Sequence, residues 1–140
     1  MITATDPIAA NAASIAAYLE LHDASRLRAD ATFVDATSGL RWEGREAIAG
    51  MLDFFYRVAF DARVEAPRLI VGRDGAALEA TFVGRHIGEF AGVPPTGIDV
   101  RVPMVVLYDL ADGEITGARI HFSVAAFLAQ VAAAGNGQPA

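Results

Sequence analysis

The 140-residue chain contains no cysteine. Disulfide bonds, thiolate nucleophiles and cysteine-ligated zinc sites are therefore excluded. Histidine is also scarce: there are three, and their spacing is not that of metal ligands, so we expect neither a metal nor a cofactor.

Long apolar runs and basic clusters are missing as well. No apolar run approaches the roughly 20 residues of a membrane span, and the N-terminal segment lacks the basic start and apolar core of a secretory signal. The net charge of −6, with no basic stripe, argues against a nucleic-acid backbone as ligand. We therefore expect a cytoplasmic protein with no membrane and no nucleic-acid partner.

Apolar side chains are abundant, at 54% of the residues. A chain of this length can bury a sizeable core as one domain, which we expect over 1–134, with a disordered tail over 135–140. The apolar surplus indicates a large internal pocket or a buried subunit interface, because exposed apolar patches are normally small.

Local patterns predict helices first and long strands later. Asp6 and Pro7 form a helix start, and apolar residues recur at helical spacing as far as His22. The order indicates an α+β domain in which a curved sheet wraps the helices. The predicted helices cover 7–22, 23–28 and 44–60, and the predicted strands cover 31–35, 40–43, 63–71, 77–90, 98–110 and 114–124.

Alternation places His86 on an apolar strand face with Leu78 and Phe82. In a pocket, the imidazole could donate a hydrogen bond to a developing enolate oxygen. A core histidine with satisfied hydrogen bonds is the alternative.

The Asp112-Gly113 turn predicts the pairing of the last two strands. A two-residue turn there places Arg119, His121 and Ser123 on one face. If that face covers the helices, Arg119 needs a carboxylate or a polar ligand, because burying an unpaired charge costs several kcal/mol. If it faces outward, Arg119 and His121 are solvated or interface residues. The predicted pairs are Leu110–Ile115, Tyr108–Gly117, Val106–Arg119, Met104–His121 and Val102–Ser123.

The stretch Gly84–Gly97, GRHIGEFAGVPPTG, resembles the SnoaL-like polyketide cyclases of the nuclear transport factor two-like superfamily. The end of the chain is similar to the family's ending at Asp112, Gly113, Ile115, Phe122, Leu128 and Gln130. The resemblance implies a cone-shaped α+β barrel, with N-terminal helices packed in a strongly curved antiparallel (mixed) sheet. It also implies a hydrophobic small-molecule substrate, and we expect a homodimer through the outer sheet face.

Two positions depart from the family pattern. Ser123 stands where family members carry an acid/base aspartate, and Arg119 replaces an aromatic residue. A serine cannot exchange protons as that carboxylate does.

A second resemblance, to ketosteroid isomerase, concerns ATFVDATSG, in which Asp35 falls on the position of the general base. Val106 replaces the protonated aspartate of that family's oxyanion hole, and Tyr18 lies near the position of its tyrosine. In a partly apolar cleft Asp35 could act as a base, paired with His121 or Arg119. It could equally be a strand-end aspartate that accepts backbone N–H bonds.

These residues lead to an enzyme hypothesis and two alternatives. The leading one is a cyclase or isomerase in which Asp35 or His121 removes a proton α to a carbonyl, and Arg119 and His86 stabilise the enolate oxygen. The alternatives are an epoxide-opening enzyme and a non-catalytic ligand-binding module. The expected substrate-binding residues are Tyr18, Trp42, Leu52, Phe55, Phe82, Met104, Val106, Tyr108 and Ser123.

Overall fold

The first helix begins as predicted. The computed structural model describes residues 6–135, and within them the Asp6 carboxylate accepts a hydrogen bond from the Ile8 N–H at 3.0 Å. Pro7 occupies the first helical position, where its missing N–H costs nothing. Of the tail expected to be disordered, only Gly135 is described, and it ends the last helix.

The described residues form three helices and six strands. The predicted helix over 44–60 ends as an α-helix at Asp53 and continues as a wider π-helical turn. The predicted strand over 77–90 ends earlier, at His86, and the next two N–H groups, of Ile87 and Gly88, both donate to the Ala59 carbonyl, at 2.9 and 3.0 Å. The elements are α1 (Pro7–Leu21), a 3₁₀ turn (Ala24–Arg26), β1 (Leu27–Asp35), β2 (Arg41–Glu43), α2 (Arg45–Asp53), the π-helical turn (Phe54–Val58), β3 (Phe60–Val71), β4 (Gly75–His86), β5 (Asp99–Ala111), β6 (Glu114–Phe122) and α3 (Val124–Gly135).

The strands form one mixed sheet in the order β2-β1-β6-β5-β4-β3. Strands β3 to β6 are consecutive antiparallel neighbours, whereas β1 pairs with β6 in parallel. This is the predicted α+β fold, a cone-shaped barrel in which helices pack inside a curved sheet. Among residues 6–135, no helix is long and apolar enough to cross a membrane.

Helix α1 is tied to the turns of two hairpins. The buried Asn11 amide donates to the Gly72 carbonyl at 2.9 Å and to the Arg73 carbonyl at 2.8 Å. The Ser14 hydroxyl donates to the Gly113 carbonyl at the other hairpin turn. Since Ser14 and Tyr18 are one turn apart, these anchors fix the position from which Tyr18 enters the core.

The hairpin of β5 and β6 contains a bulge that the sequence did not reveal. The Asp112-Gly113 turn and the Leu110–Ile115 pair are confirmed, but Asp109 then pairs with Gly117, which leaves Thr116 as an extra residue. Beyond the bulge every predicted pair is wrong by one residue, so the faces of β6 are exchanged. The observed pairs include Leu107–Arg119, Val105–His121, Val106–Ile120 and Met104–Phe122.

Two buried clusters fill the inner side of the sheet. The larger lies under α1 and α2 and contains Tyr18, Phe33 and Tyr108. The smaller, which we name the Phe60 cluster, lies beneath α3. Its buried members are Ala59, Phe60, Phe82, Val100, Val102 and Phe127.

Candidate functional site

An internal pocket of about 50 Å³ lies within the larger cluster, between the helices and the inner face of the sheet. Seven of the predicted substrate-binding residues line it: Tyr18, Leu52, Phe55, Phe82, Met104, Val106 and Tyr108. Their convergence follows from strand alternation, because Met104, Val106 and Tyr108 occupy every second position of β5. The other lining residues are His22, Phe33, Met51, Tyr56, Leu78, Ile120 and Phe122.

The phenols of Tyr18 and Tyr108 are the deeply buried polar groups of this pocket. Their rings meet edge to face with centroids 5.9 Å apart, and Phe33 packs against both at 6.2 and 6.4 Å. Burial raises the pKa of Tyr18 well above its ordinary value, and the neighbouring phenols of Tyr108 and Tyr56 raise it further. Burial likewise raises the pKa of Tyr108. Both phenols therefore remain protonated and can donate hydrogen bonds.

Sequence reasoning did not assign His22 and Tyr56 to the pocket. His22 caps α1 in the left-handed conformation, with φ of 49°, and its ring meets that of Tyr18 edge to face at 5.7 Å. Tyr56 stacks on it with centroids 4.5 Å apart, and the Tyr56 Oη lies 3.4 Å from His22 Nε2. Two signals pointed this way: His22 is four residues after Tyr18, and one of three consecutive aromatics in 54–56 had to leave the helical stripe.

Burial sets the protonation of this pair. It lowers the pKa of His22 to about 4, so the imidazole is neutral near pH 7. Burial also raises the pKa of Tyr56, which keeps its phenol protonated. A neutral imidazole and a phenol each have one proton to donate and a lone pair that accepts one, so this pair can pass a proton in either direction.

Asp35 lies outside the internal pocket, in an adjoining open cleft of about 780 Å³ that also contains Trp42. Its Oδ1 accepts the backbone N–H groups of Thr37 at 2.9 Å and Ser38 at 3.4 Å, the strand-end geometry foreseen as one alternative. The carboxylate is half-buried and still faces the cleft. The cleft and the pocket share Met51, Phe55, Ile120 and Phe122 as a common wall.

His86 is on the inner face of β4 as predicted, but it packs against the Phe60 cluster and does not line the internal pocket. Its ring is fully buried, with centroids 5.4 Å from Phe60 and 5.0 Å from Phe127. Nδ1 accepts the Thr96 N–H at 3.3 Å and contacts the Thr96 hydroxyl at 2.9 Å. Within residues 6–135, Nε2 has no hydrogen-bond partner. The core alternative therefore describes the position of this histidine but not its hydrogen bonding, because only Nδ1 is satisfied.

Arg119 and His121 point away from the pocket, so their predicted inward orientation is wrong. The bulge at Thr116 turns them to the outer face, where Arg119 Nη1 binds Asp109 Oδ2 at 2.8 Å. His121 is exposed in an outer groove that Ser123 also lines. The Ser123 hydroxyl accepts the Ala126 N–H at 3.1 Å and thereby caps α3. None of these three side chains reaches the pocket from that position.

The fold and the pocket together define a class of protein, a cone-shaped barrel with a mainly apolar internal pocket. The chain belongs to the SnoaL-like polyketide cyclase family, whose family model matches residues 15–131. No curated protein matches the chain in sequence.

Solved structures have the same fold. A protein from Jannaschia sp. CCS1 named as a SnoaL-like polyketide cyclase has 22% identity and a TM-score of 0.78, covering 94% of this chain and 99% of that one. A protein from Xanthomonas campestris named as a polyketide cyclase has 18% identity and a TM-score of 0.77, covering 90% of this chain and 99% of that one. A protein of ketosteroid isomerase-like fold from Catenulispora acidiphila, in complex with trimethylamine, has 25% identity and a TM-score of 0.65, over 92% and 93%.

Proposed function

We propose that the chain is a cofactor-independent cyclase or isomerase that enolises a hydrophobic carbonyl compound. The observation that carries the proposal is the pair of deeply buried phenols, Tyr18 and Tyr108, in a pocket lined mainly by apolar side chains. Phenols held there donate hydrogen bonds to an oxygen on which negative charge develops. Such donors contribute most when water is excluded, because the local dielectric is low.

The volumes of the two cavities indicate how a substrate would divide between them. The internal pocket, at about 50 Å³, accommodates a carbonyl group and little more. The cleft, at about 780 Å³, accommodates a ring system against Trp42, Phe54 and Phe90. We therefore propose an extended apolar substrate whose carbonyl passes the wall at Phe55 and Phe122 and reaches the phenols.

In this arrangement Asp35 is the base. The carbon α to the carbonyl would lie at the wall between the cavities, and Asp35 faces the cleft side of that wall. Both hydrogen bonds that the structure gives the carboxylate go to Oδ1, so Oδ2 is the atom we assign to proton removal. The backbone donors hold the carboxylate through Oδ1 and leave Oδ2 without a hydrogen bond among the described residues.

The family resemblance and the distribution of polar groups thus support acid/base chemistry, with the phenol donors in the internal pocket and the Asp35 carboxylate in the cleft. Epoxide opening by a carboxylate–arginine set lacks such support, because Arg119 and Asp109 pair on the outer face. The homodimer and the identity of the substrate stay predictions.

Substitution of the two phenols tests the proposal. With a panel of bulky cyclic and cyclisable ketones, we expect Tyr18→Phe and Tyr108→Phe to lower kcat by about 10²–10³-fold while KM changes little. All three tyrosines of the chain line the pocket, so the matched control is Arg119→Gln on the outer face. Full turnover by both tyrosine variants would refute the assignment of the donors.

A second candidate is binding of a small alkylammonium ion without catalysis. The aromatic lining favours it, because ring faces attract cations, and the Catenulispora protein holds trimethylamine. Calorimetry with trimethylammonium against tert-butyl alcohol, a neutral molecule of similar shape, distinguishes this function. Binding of the cation alone, with no ketone turned over, would favour it over the enzyme.

A further inference from the structure

The internal pocket adjoins solvent-filled space on two sides. One side is the cleft that contains Asp35. On the other, an open groove of about 700 Å³ runs past the end of α1 and the π-helical turn. His22, Leu52 and Tyr56 line both this groove and the pocket. The wall between groove and pocket therefore contains an imidazole and a phenol, two groups that can each pass on a proton.

We propose that His22 and Tyr56 form a proton relay from the groove to the internal pocket and deliver the proton that the substrate oxygen gains. The inference rests on the proposed function and deepens it by giving the two proton transfers separate routes. Asp35 removes a proton from carbon on the cleft side. The relay supplies a proton to oxygen on the groove side.

The transfers balance for an aldol-type ring closure. Asp35 takes the α-proton, the C–H electron pair forms the enolate, and the enolate carbon attacks a second carbonyl, whose π electrons become an alkoxide. The alkoxide takes the Tyr56 hydroxyl proton as Tyr56 Oη takes the proton of His22 Nε2. Groove water protonates His22 Nδ1 in the same step and leaves hydroxide, which the proton released by Asp35 neutralises. The product is an isomer of the substrate.

The backbone holds the relay in place. His22 adopts the left-handed conformation at the end of α1, and this conformation turns its ring towards Tyr56 and away from the helix axis. The separation of 3.4 Å between Oη and Nε2 is at the long end for a hydrogen bond, as is common for proton-transfer pairs before substrate binds. Tyr18 contacts the same ring edge to face, with centroids 5.7 Å apart. The charged residues that line the groove together with His22 are Glu20, Asp23, Asp53, Arg57, Asp61 and Arg63.

Chemical rescue tests the relay by activity. His22→Gly suits the left-handed backbone and leaves a space next to an open groove, so imidazole from solution can enter it. With a ketone that the wild type converts, we expect a loss in kcat of about 10²-fold, partly restored by imidazole. Tyr56→Phe should lose activity to a similar extent without rescue. His121→Gly, at an exposed site, is the matched control for losing a histidine.

Two results of this assay would overturn the relay while leaving the proposed function intact. One is full turnover by His22→Gly. The other is a loss that imidazole does not restore, in a variant that unfolds at the same urea concentration as the wild type. Failure of the wild type to convert any ketone in the panel would instead refute the proposed function.

A measurement that needs no substrate tests the pair itself. In ¹⁵N-histidine NMR spectra, we expect Tyr56→Phe to shift the His22 Nε2 resonance and its titration midpoint, and to leave the exposed His121 unchanged. An unchanged His22 signal would overturn the relay whatever the enzyme assays show.

Discussion

The internal pocket and the Phe60 cluster each enclose a histidine among aromatic rings, yet the two histidines differ in what surrounds them. His22 lies between a groove and a pocket and contacts a phenol. His86 has no exposed surface, and its Nδ1 is held by Thr96. The comparison teaches that burial of a histidine does not indicate function by itself. A route to solvent and a second proton-carrying group distinguish a candidate catalytic residue from a packed one.

The largest effect that we expect is a difference in the loss of stability between a variant of the Phe60 cluster and a variant of the internal pocket. Phe60→Ala removes a fully buried ring and should lower the free energy of unfolding by about 3–5 kcal/mol. Phe55→Ala, at a half-buried position that already borders two cavities, should cost clearly less, because fewer contacts are lost. Urea unfolding of both variants measures the difference. Equal losses would contradict the view that the Phe60 cluster is the more tightly packed region.

The second effect is the part of the pH dependence of stability that His22 contributes. Its pKa is about 4 in the folded chain and about 6.5 when unfolded. Between these values the unfolded chain binds the additional proton, so stability is fully present above pH 6.5 and decreases as pH falls towards 4. The loss of unfolding free energy is on the order of 3 kcal/mol, because each unit of difference between the two pKa values corresponds to about 1.4 kcal/mol.

Comparison with His22→Asn isolates this contribution, since asparagine also tolerates the left-handed conformation. Between pH 7 and pH 4.5, the unfolding free energy should decrease less in the variant than in the wild type. A parallel decrease in the two proteins would show that His22 is not held neutral by burial.

A smaller effect concerns the other histidine. His86→Leu leaves the Thr96 N–H and hydroxyl without their partner, which should lower the unfolding free energy by about 1–3 kcal/mol. Turnover for each folded molecule should remain at the wild-type level, because His86 does not line the pocket. A large loss of kcat at unchanged stability would contradict the contrast between the two histidines.

The smallest effect checks the outer face. Arg119→Gln removes an exposed ion pair with Asp109 and should change the unfolding free energy by less than about 1 kcal/mol. Turnover should not change. A loss of activity comparable to that of the tyrosine variants would mean that Arg119 acts in the site after all.

Sequence reasoning succeeded where a regular period decides the outcome. Alternation along β4 and β5 placed Leu78, Phe82, Met104 and Tyr108 on the inner face, and the helix start at Asp6 followed from capping chemistry. It failed on β6 because of the bulge at Thr116, for which Gly117 in the interior of the strand is only a weak sequence signal. Because of this one extra residue, the side chains of β6 on the inner face are Ile120 and Phe122, and Arg119 and His121 lie on the outer face.

His22 was missed for a different reason. Its position at the end of α1 was clear, but the direction of its side chain depends on its own left-handed backbone conformation after Leu21, which is uncommon for a residue other than glycine. Its partner Tyr56 depends in turn on the π-helical turn, which rotates Phe55 and Tyr56 relative to α2. Both are local departures from regular geometry, at the place where we propose function.

The parallel pairing of β1 with β6 has a consequence for how the protein is made. Leu27 and Ile115 are neighbours in the sheet although most of the chain separates them, so a ribosome releases β1 long before its partner is synthesised. Until then the edge of β1 that later binds β6 carries unpaired backbone groups, which invite association with other strands. Closure of a pair so distant in sequence is also slow. We therefore expect nascent chains that stop before Glu114 to aggregate, and the pocket to form only after the last strand has emerged.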